Sequence, residues 1–176
     1  FGVIVGKATL AEEIFNNQKL KYLDIKLKAS KLQDNPLVLT GNAWKGTWTL
    51  PGKDNITTAL IHDAGGRSIL SSSSAQKNYR TLEEVYAMND SIEYWINCGS
   101  VTSITQLIET EERYALFKPV LNKKVFNYTK KMTKGGGFQF WEKGIVEPDE
   151  ILEDLFHIFS RDTLNQNKYN YYQRLK

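Results

Sequence analysis

Large aromatic side chains are the most prominent candidate ligand contacts in this sequence. They fall at or near predicted loops and comprise Trp44, Trp48, Tyr128, Phe138 and Trp141. Aromatic faces give much contact area at a small cost in conformational entropy, so several on adjacent loops predict a wall for a bulky, partly apolar ligand. Burial in the core is the alternative for any one of them. The polar candidates at or beside the same loops are Lys45, Ser100 and Asn127.

Residues that could carry out catalysis are less convincing. The glycine-rich segment 134–137 lacks the spacing of a phosphate-binding loop and is not followed at once by a helix. Serines 71–74 lack the glycine pattern of a nucleophile elbow, and His62 and His157 fall within predicted helices, where surface or packing roles are expected. Cys98 and the two histidines have no metal-ligand spacing. We therefore predict no catalytic residue, no metal site and no cofactor.

Composition narrows the possible partners. The formal charge of +3 comes from 23 basic and 20 acidic residues spread along the chain, so no basic stripe for nucleic acid is expected. No apolar run approaches the roughly 18 residues of a membrane-spanning helix. The chain starts with apolar residues, without an initiator methionine or a signal sequence, and we interpret it as part of a longer polypeptide.

One long amphipathic helix is predicted over residues 7–33, because apolar or small residues recur there at spacings of three and four. Pro36 ends this pattern, since the residue before a proline is pushed out of the helical region. Residues 37–40 are a short apolar run typical of a buried strand, and residues 41–48 are predicted to form a loop or irregular hairpin.

The next helix is predicted to be capped by Asn55 or Asp54 and to end at Gly65. Its inward face is predicted to hold Ile56, Ala59, Leu60 and Ala64. Further strands are predicted over 68–70, 92–97 and 125–128, and serines 71–74 are predicted to form a polar loop.

Four more helical segments alternate with these strands, one of them near residues 104–108. Thr81 and Glu84 form a capping box that begins one of them. A helix near 113–117 is expected to end before Pro119, and Pro148 opens a final amphipathic helix. The alternation predicts an α/β fold, with a Rossmann-like lobe whose central, mainly parallel sheet is flanked by helices. Ligands bind beyond the carboxyl ends of such strands, in loops that here follow Thr40, Asn97 and Tyr128.

Several segments, taken in order and spacing, resemble a known family. They are 41–52 (GNAWKGTWTLPG), 60–66 (LIHDAGG), 81–86 (TLEEVY), 94–97 (YWIN), 140–142 (FWE) and 146–149 (VEPD). This pattern is similar to the second lobe of the periplasmic substrate-binding proteins of ABC importers, in the class for iron siderophores, haem and vitamin B12. Two Rossmann-like lobes joined by one long helix characterise that class. The resemblance extends from about Lys7 to Leu164.

The resemblance implies a division of the chain and a function. Residues 1–35 would be the end of a missing amino-terminal lobe with the connecting helix, and 36–176 the carboxy-terminal lobe. The protein would be a solute-binding component and not an enzyme, capturing an iron chelate, haem or corrinoid between two lobes and delivering it to an ABC permease in the inner membrane. A periplasmic location, with a lipoprotein anchor on the full-length protein, is implied as well.

Two alternatives remain open from the sequence. Asp54 matches the position where the family places an acidic residue that docks on arginines of the permease, but it could equally be a helix cap. The alternative function is an intracellular α/β enzyme domain that binds a nucleotide or other cofactor. The sequence lacks the features that such an enzyme would need, namely a glycine fingerprint, a nucleophile with its base and a carboxylate cluster.

Overall fold

The computed structural model describes residues 2–69, 79–161 and 168–176. Its helices are α1 (Ala8–Ala29), α2 (Ile56–Asp63), α3 (Leu82–Tyr86), α4 (Ile104–Thr110), α5 (Lys118–Leu121), α6 (Gln139–Glu142) and α7 (Pro148–Phe159). Its strands are β1 (Leu37–Thr40), β2 (Ala43–Trp44), β3 (Thr47–Thr49), β4 (Arg67–Ser68), β5 (Tyr79–Thr81), β6 (Ile92–Ile96), β7 (Val125–Asn127) and β8 (Gln173–Arg174). No helix in these ranges is both long enough and apolar enough to cross a membrane.

The fold is organised around a central sheet. Among the described residues it has five strands in the order β4-β1-β6-β7-β8, with β8 antiparallel to β7 and the other pairs parallel. The predicted α/β class with a mainly parallel sheet is therefore confirmed. Neighbouring residues of β6 point to opposite faces, since Tyr94 packs with α2 and α7 while Trp95 packs with α3 to α5. Both faces are covered, which explains the nearly continuous apolar strands.

The predicted long helix is confirmed as α1, whose 22 residues span roughly 33 Å. It ends at Ala29, four residues before the predicted boundary. Ser30 caps the last turn through its backbone N–H, and its hydroxyl donates to the Leu27 carbonyl at 2.8 Å. Within α1, only Ile25 and Ala29 are buried. Most apolar residues of this helix are thus exposed in the chain.

A smaller antiparallel sheet, with the order β2-β3-β5, packs on the α3 to α5 side. Lys45 and Gly46 join β2 to β3 with φ angles of 50° and 76°. Two consecutive positive φ angles form a type I′ turn, the connection whose twist matches that of a hairpin. The hairpin interpretation of 41–48 is confirmed.

The predicted inward face of α2 is corrected. On α2, Ile56 is 69% exposed and Ala59 is exposed, while Ile61 joins Leu60 and Ala64 in the core. The helix predicted near 113–117 is a short 3-10 helix over Glu112–Leu116, which ends before Pro119 as predicted. Pro119 itself lies in the first turn of α5, where a proline has no amide hydrogen to leave unsatisfied. The predictions for Leu70 and for serines 71–74 lie outside the described residues.

The carboxy-terminal segment is anchored on a buried carboxylate. Asp154 of α7 is fully buried and accepts hydrogen bonds from the backbone N–H groups of Asn170, Tyr171 and Tyr172 at 2.6, 2.7 and 2.9 Å. Burial raises the pKa of Asp154 to about 6, although the three N–H donors oppose the shift. This contact brings the segment back to the sheet, where β8 pairs with β7.

Candidate functional site

A cleft opens where the strand order of the central sheet reverses. The chain passes from β1 outward to β4 and returns on the other side of β1 as β6, so the loops after β1 and β6 diverge. This is the switch point at which open α/β sheets bind ligands. A cavity of about 330 Å³ lies there and is lined by Thr40, Gly41, Thr49, Leu50, Pro51, Gly52, Asn55, Thr57, Asn97, Tyr128 and Trp141.

The lining is polar but uncharged. It offers hydroxyl groups from three threonines, the amides of Asn55 and Asn97, and the aromatic rings of Tyr128 and Trp141. Among these described lining residues there is no carboxylate, lysine, arginine, histidine or cysteine. A ligand in this cleft would be held by neutral hydrogen bonds and aromatic contact rather than by ion pairs. No group of three or more potential metal-ligating side chains occurs within the described ranges.

The aromatic wall is built around Tyr128. Its ring stacks on Phe140 with 4.9 Å between centroids and meets Trp141 edge to face at 5.3 Å. Trp141 is 53% exposed, so about half of its side chain is open to solvent. Phe138 packs against Tyr128 at 5.4 Å and does not line the cavity. Of the predicted aromatic contacts, Tyr128 and Trp141 are therefore brought together in the cleft, with Phe138 supporting Tyr128.

Trp48, predicted as a ligand contact, does not line the cavity. Its side chain is fully buried, because β3 turns it toward the central sheet. Its Nε1 donates to the Thr40 carbonyl at 2.8 Å, and Nε1 of the neighbouring Trp95 donates to the Gly41 carbonyl at 2.7 Å. The two indoles fix the loop after β1. Trp48 thus positions one wall of the cleft without reaching a ligand.

Asn127, also predicted as a ligand contact, does not line the cavity either. It is fully buried, and its Nδ2 donates to the carbonyl oxygens of Gly99 and Val101 at 2.9 and 2.8 Å. These bonds hold the loop after β6 against the end of β7. Ser100 in that loop is exposed but does not line the cavity.

The turn of the β2–β3 hairpin lies outside the cavity. Trp44 is 77% exposed and Lys45 sits in the turn beside it, and neither lines the cavity. Thr49, which does line it, pairs with Tyr79 of β5, so these two side chains share the exposed face of the small sheet. Tyr79 is 63% exposed and was not predicted. Trp44 and Tyr79 are therefore two separate exposed aromatic side chains of the small sheet.

Asn97 and Asn55 are cleft residues that the sequence did not single out. Asn97 directly follows β6 and has a φ of 59°, in the left-handed region that asparagine tolerates better than most residues. The Tyr172 hydroxyl donates to its Oδ1 at 2.8 Å. Asn55 caps α2 by accepting from the Thr57 N–H at 2.8 Å, so Asn55 is the cap and Asp54 is an exposed residue of the preceding turn.

Comparisons with known proteins agree with this architecture. Residues 1–132 match the family model described as periplasmic binding protein. The chain is similar to the TroA-like periplasmic binding protein FepB from Veillonella parvula, with a TM-score of 0.63 and 14% identity over 99% of this chain and 59% of that one. It is also similar to S. aureus IsdE complexed with heme, with a TM-score of 0.59 and 20% identity over 90% of this chain and 60% of that one.

A third similar structure is the siderophore periplasmic binding protein from the fuscachelin gene cluster of Thermobifida fusca, with a TM-score of 0.55 and 15% identity over 86% of this chain. No curated protein matches the sequence. The chain spans only 56% to 60% of the length of these three structures.

Proposed function

The chain belongs to the periplasmic binding protein family, and from this premise we propose that it forms one lobe of the solute-binding component of an ABC importer. The solute is an iron chelate, haem or corrinoid, held between this lobe and a second lobe and then delivered to a membrane permease. The observation that carries the proposal is the uncharged cleft with an aromatic wall at the carboxyl ends of β1, β6 and β7.

The exposed surface of helix α1 supports the proposal of a second lobe. Its large exposed apolar side chains are Leu10, Ile14, Phe15, Leu20, Leu23 and Leu27. Exposed apolar side chains in this number on one helix usually mark contacts with other protein surfaces. Where α1 approaches the turn before α7, a groove of about 430 Å³ includes Phe15, Leu23, Ile145 and Val146. We propose that residues 1–35 connect the two lobes and that residues 36–176 form the carboxy-terminal lobe.

The lining chemistry suits solutes that combine flat apolar surface with neutral oxygen or nitrogen groups. Trp141 and Tyr128 provide the aromatic surface, and the threonine hydroxyls and two amides provide hydrogen bonds. The alternative of an enzyme domain has no observation in its favour at this site, because the cavity lining lacks an acid, a base and a nucleophile. Cys98 is fully buried nearby, and burial raises the pKa of its thiol, which keeps it protonated.

Asp54 is proposed as a permease-docking residue. It is exposed in the turn before α2, and the adjacent Ile56 at the start of that helix is 69% exposed. Because Asn55 satisfies the helix end, the Asp54 carboxylate is not needed as the cap. An exposed acid beside an exposed apolar residue suits a basic, partly apolar partner surface. The function implies a periplasmic location, and a lipid anchor on the full-length protein is part of the proposal.

The proposal is tested by titrating the isotope-labelled chain with diamagnetic probes and recording amide spectra. Suitable probes are gallium trihydroxamate chelates, gallium protoporphyrin and cyanocobalamin. Weak binding is expected because the chain supplies one wall, with resonance changes centred on Gly41, Asn97 and Trp141. A Trp141→Ala variant should weaken the changes, whereas Leu121→Ala, on an exposed residue away from the cleft, should not. Absence of cleft changes with all probes would contradict the proposed solutes.

A further inference from the structure

Asn97 is the cleft residue whose side chain is most constrained by a distant part of the chain. It lines the cavity, it is half-buried, and its backbone has a φ of 59°. Its Oδ1 accepts a hydrogen bond of 2.8 Å from the hydroxyl of Tyr172, which lies 75 residues further along the sequence. One half of the Asn97 amide is therefore already occupied in the folded chain.

The direction of this hydrogen bond determines which half of the Asn97 amide remains available to a ligand. Tyr172 is almost fully buried, and burial, reinforced by the nearby Asp154, raises the pKa of its hydroxyl, so the group keeps its proton. A buried hydroxyl proton without an acceptor carries a desolvation penalty. Within the described ranges, Oδ1 of Asn97 is the acceptor found for it. If the amide were reversed, the hydroxyl proton would lose this acceptor, so Nδ2 is the half of the amide left for the cavity.

Tyr172 is held in place from the opposite side. Its backbone N–H donates to the buried Asp154 carboxylate at 2.9 Å, alongside the N–H groups of Tyr171 and Asn170. Strand β8 begins at the next residue and pairs with β7. The Tyr172 ring is thus fixed by α7 and by the central sheet, and the position of its hydroxyl does not depend on a ligand.

We propose that Asn97 is a specificity-determining contact, whose Nδ2 group donates to an acceptor oxygen of the bound solute, and that Tyr172 is the positioning residue that orients it. This inference rests on the proposed function, because it takes the cleft to be the site where the solute binds. Because the described lining is uncharged, the matching group is a carbonyl-type oxygen such as that of a hydroxamate or amide, rather than a group that needs a countercharge.

The test compares variants of the chain with a gallium trihydroxamate chelate as the probe. Asn97→Gly removes the donor and keeps a residue that adopts positive φ without strain. Asn97→Asp exchanges the donor for an acceptor but retains an oxygen for Tyr172. Both variants should bind the probe at least tenfold more weakly. Tyr172→Phe should weaken binding about fivefold, the factor that corresponds to one ordinary hydrogen bond.

Tyr171→Phe is the matched control. It removes the same atom from the neighbouring buried tyrosine, whose hydroxyl donates to Glu147 at 2.5 Å and not to the cleft. It should leave probe binding unchanged even if it lowers the melting temperature. Tyr172→Phe, unlike this control, should also shift the side-chain amide resonances of Asn97 without any probe.

The possible results separate the two proposals. Wild-type binding in the cleft that persists in Asn97→Gly and Asn97→Asp would overturn the inference and leave the proposed function intact. An Asn97 amide that responds equally to Tyr171→Phe and Tyr172→Phe would overturn the positioning role. Failure of the wild-type chain to bind any of the probes in the cleft would overturn the proposed function and the inference with it.

Discussion

The buried carboxylate of Asp154 should make the stability of this chain decrease as pH rises through the weakly acidic range. Burial raises its pKa from an ordinary 3.8 to about 6. In the unfolded chain the group ionises near its ordinary value, so the folded state favours the protonated form. Its contribution is fully present below about pH 4 and is lost as the pH rises past about 6. A shift of this size corresponds to about 3 kcal/mol.

The measurement is urea denaturation of the wild-type chain and of Asp154→Asn at several values from about pH 4 to pH 8. The informative quantity is the difference between the two free energies of unfolding, because it cancels the titration of all other groups. That difference should change by about 3 kcal/mol across the range, in favour of Asp154→Asn at the higher pH.

Asp154→Ala provides the matched control. It also removes the titrating group, so its stability should follow the pH dependence of Asp154→Asn. It additionally leaves the backbone N–H groups of Asn170, Tyr171 and Tyr172 without their acceptor. Its free energy of unfolding should therefore be lower than that of Asp154→Asn at every pH, by about 3 kcal/mol or more. If the wild-type chain instead gained stability relative to Asp154→Asn as pH rose, the three N–H donors would outweigh burial and the stated sign would be wrong.

Three further predictions concern Trp48, Gly46 and Asp54. Trp48→Phe keeps a buried ring but loses the donor to the Thr40 carbonyl, so urea denaturation should show a loss of about 1 kcal/mol and the Gly41 amide resonance should shift. Gly46→Ala forces a side chain into the left-handed half of the type I′ turn and should cost about 1 kcal/mol in the same assay. Asp54→Ala should leave melting and probe binding unchanged but reduce uptake by the assembled importer, and unchanged uptake would remove the docking role.

The location of the cleft was predictable from the sequence, but the roles of individual residues were less so. The loops after Thr40, Asn97 and Tyr128 do meet at one edge of the sheet, because the ends of parallel strands must do so. Trp44 and Trp48, by contrast, lie four residues apart on a hairpin whose strands have two and three residues. Such short strands have too few residues for an alternating pattern to reveal which indole is buried.

The carboxy-terminal segment was not predictable from local pattern, although one signal for it existed. Residues 168–172 have no helical or strand periodicity, and they are held by side-chain contacts from α7. Asp154 falls on the apolar stripe of that helix, at helical spacing from Ile151 and Ile158. An acidic residue on a buried face requires a hydrogen-bonding partner, so its position implies a partner segment without identifying it.

Polar groups near the cleft are of two kinds, buried donors that fix the loops and groups that face the cavity. The donors that fix the cleft loops are buried: the Trp48 and Trp95 indoles hold the loop after β1, and Asn127 holds the loop after β6. The groups left facing the cavity, such as the Asn97 amide, are therefore fixed before a solute arrives. Fixed donors reduce the conformational entropy lost on binding, and in an uncharged cleft they are the main source of directional selectivity. Under the proposed function, a solute whose acceptor oxygen is displaced from Asn97 would leave that amide without its hydrogen bond, so the cleft would discriminate between chelates although its lining carries no charge.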